Sequence, residues 1–250
     1  MKFVSLVFLL VLSNVLVGQQ MTSGKIIYKE TIKLNIDIGD DRPEMAKMFP
    51  TSQSVDKVLF FNGNEALFKN NEQPKDLDVK HEEEGSTFQI VMKMPESTIY
   101  TNKANDEYVQ SQDLMGKAFL IVDKPKKYKW KITGEQKSIL DYPCQRAVLN
   151  DTTQNVVAWF TSKIPVGTGP GGMMGLPGLI LALEHDNGER MTIATSIESL
   201  PEKFEFVKPD KGKKVNRAEY DKIREEKMKE MGAVNGKGTG VKMIIREERH

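Results

Sequence analysis

Residues 156–183 read VVAWFTSKIPVGTGPGGMMGLPGLILAL, and this stretch decides how the chain folds. Val156–Thr161 and Leu179–Leu183 are short apolar runs of strand length. Residues 164–180, which lead from one run into the other, hold six Gly and three Pro in seventeen positions, which excludes a helix or a central strand. We therefore predict two strands joined by an irregular segment, with Pro177–Gly178 at the centre of a type II turn that gives Gly178 a positive φ.

Short apolar runs separated by turn residues continue on both sides of this stretch. From Ile32 to Ile38 apolar and polar residues alternate, which is the period of a half-buried strand. Further strands are predicted at 58–61, 66–68, 88–94, 99–101, 107–110, 118–122, 128–132, 136–140, 146–149 and 191–197, with turns at 62–64 and 185–188. The pattern predicts a mainly β protein, built as a curved antiparallel meander sheet or a half-barrel.

Helical signals are confined to two places. Asp41 and Pro43 predict the start of one short helix over 42–49, and Asn216–Met231 predicts a helical tail. Residues 77–84 are acidic and are predicted to form a loop, while 232–240 are Gly-rich and are predicted to form a linker. We therefore divide the chain into a signal peptide (1–20), a β-rich domain (21–215) and a helical and Gly-rich tail (216–250).

The N-terminus has the layout of a secretory signal peptide. Lys2 supplies a basic start, residues 3–12 are almost continuously apolar, and Gly18 ends the extended apolar run. The alternative is an N-terminal membrane anchor, which needs about 20 apolar residues and is disfavoured by this length. We expect export to the periplasm or cell envelope, with no membrane span after cleavage.

Composition narrows the classes of partner and cofactor. Without Lys2 the chain carries 35 basic and 35 acidic residues, so no global field attracts nucleic acid, and we expect no nucleic-acid partner. One Cys rules out an internal disulfide, and three His are few for a metal site. We expect no metal and no cofactor.

One segment carries a resemblance to a known family. Gly175–Ile180 spells GLPGLI, and Trp130, Cys144 and Trp159 precede it in a matching order. Over residues 128–200 the chain resembles the GLPGLI family of exported Bacteroidetes proteins. The resemblance implies a β-rich fold in a bacterial envelope, and it implies no activity, because the family is one of unknown function.

Several residues have side chains that could take part in catalysis or binding. Cys144 could be a nucleophile, but no His stands in a catalytic context, and a buried free thiol is favoured. Residues 124–131 hold five Lys interleaved with Tyr128 and Trp130, which favours an amphipathic strand with Tyr128, Trp130 and Ile132 inward. No catalytic residues are predicted, so the chain is more consistent with a non-enzyme.

Two hypotheses of function remain. The first is a non-catalytic binding module for an apolar small molecule or an envelope protein, because a curved sheet offers a concave apolar face. Its predicted contact residues are Met173, Met174, Gly175, Leu176, Pro177, Gly178, Leu179, Ile180 and Trp159. The alternative is an envelope hydrolase of peptides or glycans, which would need a cleft with an acid–base group of perturbed pKa.

Overall fold

Strands dominate the chain, as a computed structural model shows for residues 20–34, 50–73, 77–83, 86–93, 96–151, 154–230 and 242–249. The strands are β1 (Gly24–Lys33), β2 (Ser52–Phe61), β3 (Glu65–Asn70), β4 (Leu77–Glu83), β5 (Ser86–Lys93), β6 (Ser97–Asn102), β7 (Glu107–Leu114), β8 (Lys117–Asp123), β9 (Trp130–Ile139), β10 (Tyr142–Leu149), β11 (Val156–Thr161), β12 (Leu179–His185), β13 (Arg190–Glu198), β14 (Lys213–Val215) and β15 (Lys242–Arg249). The described helix, α1, covers Arg217–Glu230, and single 3₁₀ turns lie at Pro170–Gly172 and Asp186–Gly188. The prediction of a mainly β fold with a C-terminal helix is confirmed.

Twelve strands form one sheet in the order β14-β8-β7-β6-β3-β2-β1-β13-β12-β11-β10-β9. Every neighbouring pair in it is antiparallel except β14 and β8, which run parallel. Strands β15, β5 and β4 form a separate three-stranded antiparallel sheet. The apolar core lies on the long sheet, and the candidate residues lie on this sheet, in the segment between β11 and β12, and on α1.

The twelve-stranded sheet curls until its two ends approach one segment. A Cβ built on Gly172 would lie 3.1 Å from the Tyr108 ring of β7, and one on Gly175 would lie 3.7 Å from the Trp130 ring of β9. Three residue steps reach at most about 11 Å, whereas nine strand spacings in a flat sheet would separate β7 from β9 by about 40 Å. The sheet is therefore strongly curved, and residues 164–180 lie on its concave side.

The convex side is partly covered by the chain that follows β13. Residues 199–212, here called the strap, place Phe204 on Phe60 with ring centroids 4.1 Å apart. Leu200 and Phe206 pack against the same apolar cluster. The strap leads into β14 and α1. Tyr220 of α1 packs edge-on against Phe119 of β8, which lies on the same face of the sheet as Tyr108 and therefore on the concave side. Among the described residues, no helix combines the length and apolar character that crossing a membrane requires.

Two element predictions were wrong. Residues 77–83 are strand β4 and not a loop, because Leu77 and Val79 alternate with Asp78 and Lys80 and the charges concealed a two-residue period. The strands predicted at 128–132 and 136–140 are one strand, β9, that continues through Gly134. Residues 1–19 of the predicted signal peptide (1–20), the predicted helix at 42–49 and the predicted linker at 232–240 lie outside the described residues.

Candidate functional site

The Gly- and Pro-rich segment fills the concave face of the sheet. Ile164, Val166, Met173 and Leu176 are at most 5% exposed and belong to the core clusters. The backbone N–H of Ile180 donates to the Thr168 carbonyl at 3.0 Å, which ties the segment to the start of β12. The segment is thus an interior part of the fold.

Glycine is required in this segment mainly because of close approach. A Cβ on Gly178 would stand 2.1 Å from the carbonyl oxygen of Thr161, which no real side chain allows. Gly178 lacks a positive φ, so the predicted type II turn with positive φ there was wrong. Gly172 does have a positive φ of 73°, and its missing side chain admits the Tyr108 ring.

Little space remains beneath the segment. A gap between the segment and strands β2, β3 and β6 is too small to hold a water molecule, and it is lined by Leu59, Ala66, Phe68, Ile99, Thr101, Thr168, Gly169 and Gly172. The Thr168 hydroxyl is buried there without a hydrogen-bond partner. In the part of the chain described, the gap beneath the segment therefore offers no room for an apolar ligand.

The predicted contact residues are dispersed between core and surface. Gly175 and Pro177 are exposed, and Met174 and Trp159 are half-buried. The remaining five are buried: Met173, Leu176, Gly178, Leu179 and Ile180. Their role as contact residues stays a prediction, and the surface they share is limited to the exposed and half-buried members.

The residues before and at the start of β9 brace the segment from one side. The indole Nε1 of Trp130 donates to the Met174 carbonyl at 2.9 Å, and Tyr128 packs against the same cluster. Burial raises the pKa of Tyr128. Ile132, predicted to point inward with them, is 47% exposed, because β9 is the last strand of the sheet.

Cys144 has the environment of a buried structural thiol. Its side chain is 1% exposed, and its Sγ donates to the Tyr142 carbonyl at 3.4 Å. Burial raises the pKa of Cys144 to about 11, so the thiolate needed for nucleophilic attack is scarce at neutral pH.

His185 stands far from this thiol. Gln145, next to Cys144, pairs with Phe160 near one end of β11, whereas His185 pairs with Val156 at the other. Five strand residues separate the two side chains by roughly 17 Å. They form no nucleophile–base pair. Burial lowers the pKa of His185.

The structure contains two polar clusters on the sheet that the sequence did not predict. In the first, Lys57 is 6% exposed and lies 3.8 Å from Glu30, and it also contacts the Asn70 side chain. Burial lowers the pKa of Lys57, and the Glu30 carboxylate opposes that effect. In sequence these residues occupy ordinary strand positions, so only the pairing of β1, β2 and β3 brings them together.

The second cluster joins α1 to the sheet. One Arg217 nitrogen donates to the Tyr108 hydroxyl and to Gln110 Oε1, each at 2.7 Å, and the guanidinium lies over the Tyr108 ring. Burial raises the pKa of Tyr108 to about 12, although Arg217 opposes the rise. The only sequence signal nearby is Asn216 with Glu219 three residues later, which marks the start of a helix.

These features define a class: a β domain whose curved, open sheet is filled by its own Gly- and Pro-rich segment. The chain belongs to the family described as the N-glycanase peptide, N-terminal domain, whose model matches residues 82–223. No curated protein matches it.

Two solved structures of PNGF-II share the fold. The one in space group P21 has 18% identity and a TM-score of 0.52 and covers 81% of this chain and 33% of that chain. The one in space group C2 has 17% identity and a TM-score of 0.51 and covers 80% and 32%. The chain therefore spans about a third of the length of these relatives, and the likeness concerns the fold.

Proposed function

We propose that this protein is an exported interaction module of the bacterial cell envelope, which binds a protein partner and performs no catalysis. One observation carries the proposal: residues 164–180 fill the concave face where a small molecule would otherwise bind. Binding is then left to the outer surface and the edges of the sheet. The proposed export rests on the apolar N-terminus that follows Lys2.

Membership of the GLPGLI family remains part of this proposal. The signature Gly175–Ile180 falls inside the region that the N-glycanase N-terminal domain model matches. The description of that family places such a domain ahead of other parts of an N-glycanase. We propose that this domain acts as an accessory unit of a partner protein.

The experiment is photo-crosslinking in vivo from the exposed part of the segment. A photoreactive residue replaces Pro177, which is exposed and has no positive φ, and a matched variant carries it at the exposed Glu202 of the strap. We expect one defined envelope protein to be captured from Pro177 and not from Glu202. Capture of lipid, or of no molecule from either position, contradicts the proposal.

A second candidate is a glycan hydrolase, and membership of a family named for an N-glycanase is the observation that favours it. The Glu30–Lys57 pair, in which Lys57 is buried and Glu30 is half-buried, would supply its acid–base group. The test is incubation of the full chain with an N-glycosylated protein, followed by electrophoresis. We expect no glycan release. Release that Glu30→Gln abolishes would replace the interaction proposal with this one.

A further inference from the structure

Strand β9 has an unpaired outer edge. It is the last strand of the twelve-stranded sheet, and no other strand in the described ranges pairs with its outer side. The terminal strand at the opposite end of the sheet is β14, which has only three residues and leads into α1. A ten-residue edge strand is a ready template for another extended chain.

The hydrogen bonds between β9 and β10 show which groups are free. The N–H of Asn150 donates to the Lys129 carbonyl at 2.8 Å, so Lys129 directs its backbone groups toward β10. Because backbone direction alternates along an antiparallel strand, Lys131 does the same, and Trp130 and Ile132 direct N–H and C=O to the open edge.

Side chains give the two faces of this edge different characters. Lys129 and Lys131 are exposed and alternate with Trp130 and Ile132, and the exposed Lys127 precedes them. None of these three lysines has an ion pair with a described residue, although Lys126 reaches Asp151 at 3.8 Å. The other face carries Ile132, 47% exposed. Over residues 127–132, one face of the edge is therefore cationic and the other apolar.

We propose that the outer edge of β9 binds an extended acidic segment of a protein partner as a thirteenth strand. Its Asp or Glu residues would face Lys129 and Lys131, and the apolar residues between them would face Ile132. This inference rests on the proposed interaction function. A second copy of the chain is disfavoured when the two strands pair around Trp130, because Lys129 and Lys131 of each copy would then face each other and repel.

The test uses the full chain and a fluorescein-labelled peptide of alternating Glu and Val, with fluorescence anisotropy as the readout. We expect binding that weakens with added salt and falls about tenfold or more in the variant Lys127→Glu, Lys129→Glu, Lys131→Glu. The matched control reverses Lys117, Lys211 and Lys222, which are exposed and lie on β8, the strap and α1. The control should bind as the parent does.

Backbone pairing is tested separately. Ile132→Pro removes an N–H that faces the open edge and leaves the β9–β10 ladder intact, so we expect about a tenfold loss of binding. A peptide N-methylated at alternate residues should also fail to bind, and it requires no variant of the protein. If both bind normally while charge reversal weakens binding, the added strand is disproved.

Equal loss in the control lysine variant would also overturn the inference, since attraction would then depend on net charge alone. A dimer of the parent chain that Ile132→Pro dissociates would assign the edge to a second copy instead. Capture of a partner from Pro177 alone, with no peptide binding at β9, would sink this inference and leave the interaction function standing.

Discussion

At the scale of single residues, Thr168 has a side chain that the fold does not satisfy. Its hydroxyl is buried beneath the Gly- and Pro-rich segment with no hydrogen-bond partner among the described residues. We expect Thr168→Val to raise the free energy of unfolding by about 1 kcal/mol, because the shape is kept and an unpaired polar group is removed. Urea unfolding monitored by circular dichroism measures the change.

The matched control is Thr161→Val. Thr161 is also fully buried, but its Oγ1 accepts a hydrogen bond from the N–H of Lys163 at 3.3 Å. The same substitution there should lower the free energy of unfolding by about 1 kcal/mol. Equal effects of the two substitutions would show that burial of the added methyl group, and not hydrogen bonding, decides the outcome.

At the scale of elements, α1 depends on its first turn. Asn216 Oδ1 accepts from the Glu219 N–H, and Glu219 Oε2 accepts from the Asn216 N–H, each at 2.9 Å, which is a reciprocal cap. We expect Asn216→Ala to lower the free energy of unfolding by about 1 kcal/mol and to speed amide hydrogen exchange over the first turn of α1. Glu225→Ala, which removes only an exposed ion pair with Lys229, should change exchange there far less.

The elements that the sequence predicts well are those with local signals. Asn216 and Glu219 mark the helix, and Asn62–Gly63–Asn64 marks the turn between β2 and β3. Strand β4 was missed because charged residues fill its polar positions, and the strap was missed because Phe204 gains its role only from Phe60, which lies far away in sequence. The periodicity of apolar residues and the residue types that form turns are local properties of the sequence. The residues that pair or pack across the fold are distant in sequence and cannot be found from local patterns.

At the scale of the whole molecule, the sequence does not predict how far the twelve-stranded sheet curves. The Gly- and Pro-rich segment was correctly separated from the strands, but its position depends on where β7 and β9 arrive after the sheet curls. The same dependence hides the Lys57–Glu30 pair and the contact of Arg217 with Tyr108. The sequence therefore predicts which residue types are available for the candidate sites. The pairing and curvature of the sheet determine which of those residues come into contact.

Alkaline pH should unfold this molecule through its buried tyrosines. Burial raises the pKa of Tyr28, whose hydroxyl donates to the Ile180 carbonyl at 2.7 Å, and it raises the pKa of Tyr108 to about 12. It also raises the pKa of Tyr100, Tyr128 and Tyr220. Unfolded tyrosine ionises near pH 10, so this stability is complete below about pH 10 and is lost as pH rises toward the folded values.

The lowered pKa of Lys57 and of Lys103 makes the folded state more stable as pH rises, which opposes the effect of the tyrosines. Because five tyrosines act against two lysines, we expect a net loss of stability. Each tyrosine steepens the decline by at most about 1.4 kcal/mol per pH unit. Tyr28→Phe should lower stability at neutral pH, through loss of its hydrogen bond, and should flatten the decline above about pH 10. Urea unfolding at a series of pH values separates the two effects. A slope unchanged by Tyr28→Phe would contradict the prediction, because it would mean that this hydroxyl ionises alike in the folded and the unfolded chain.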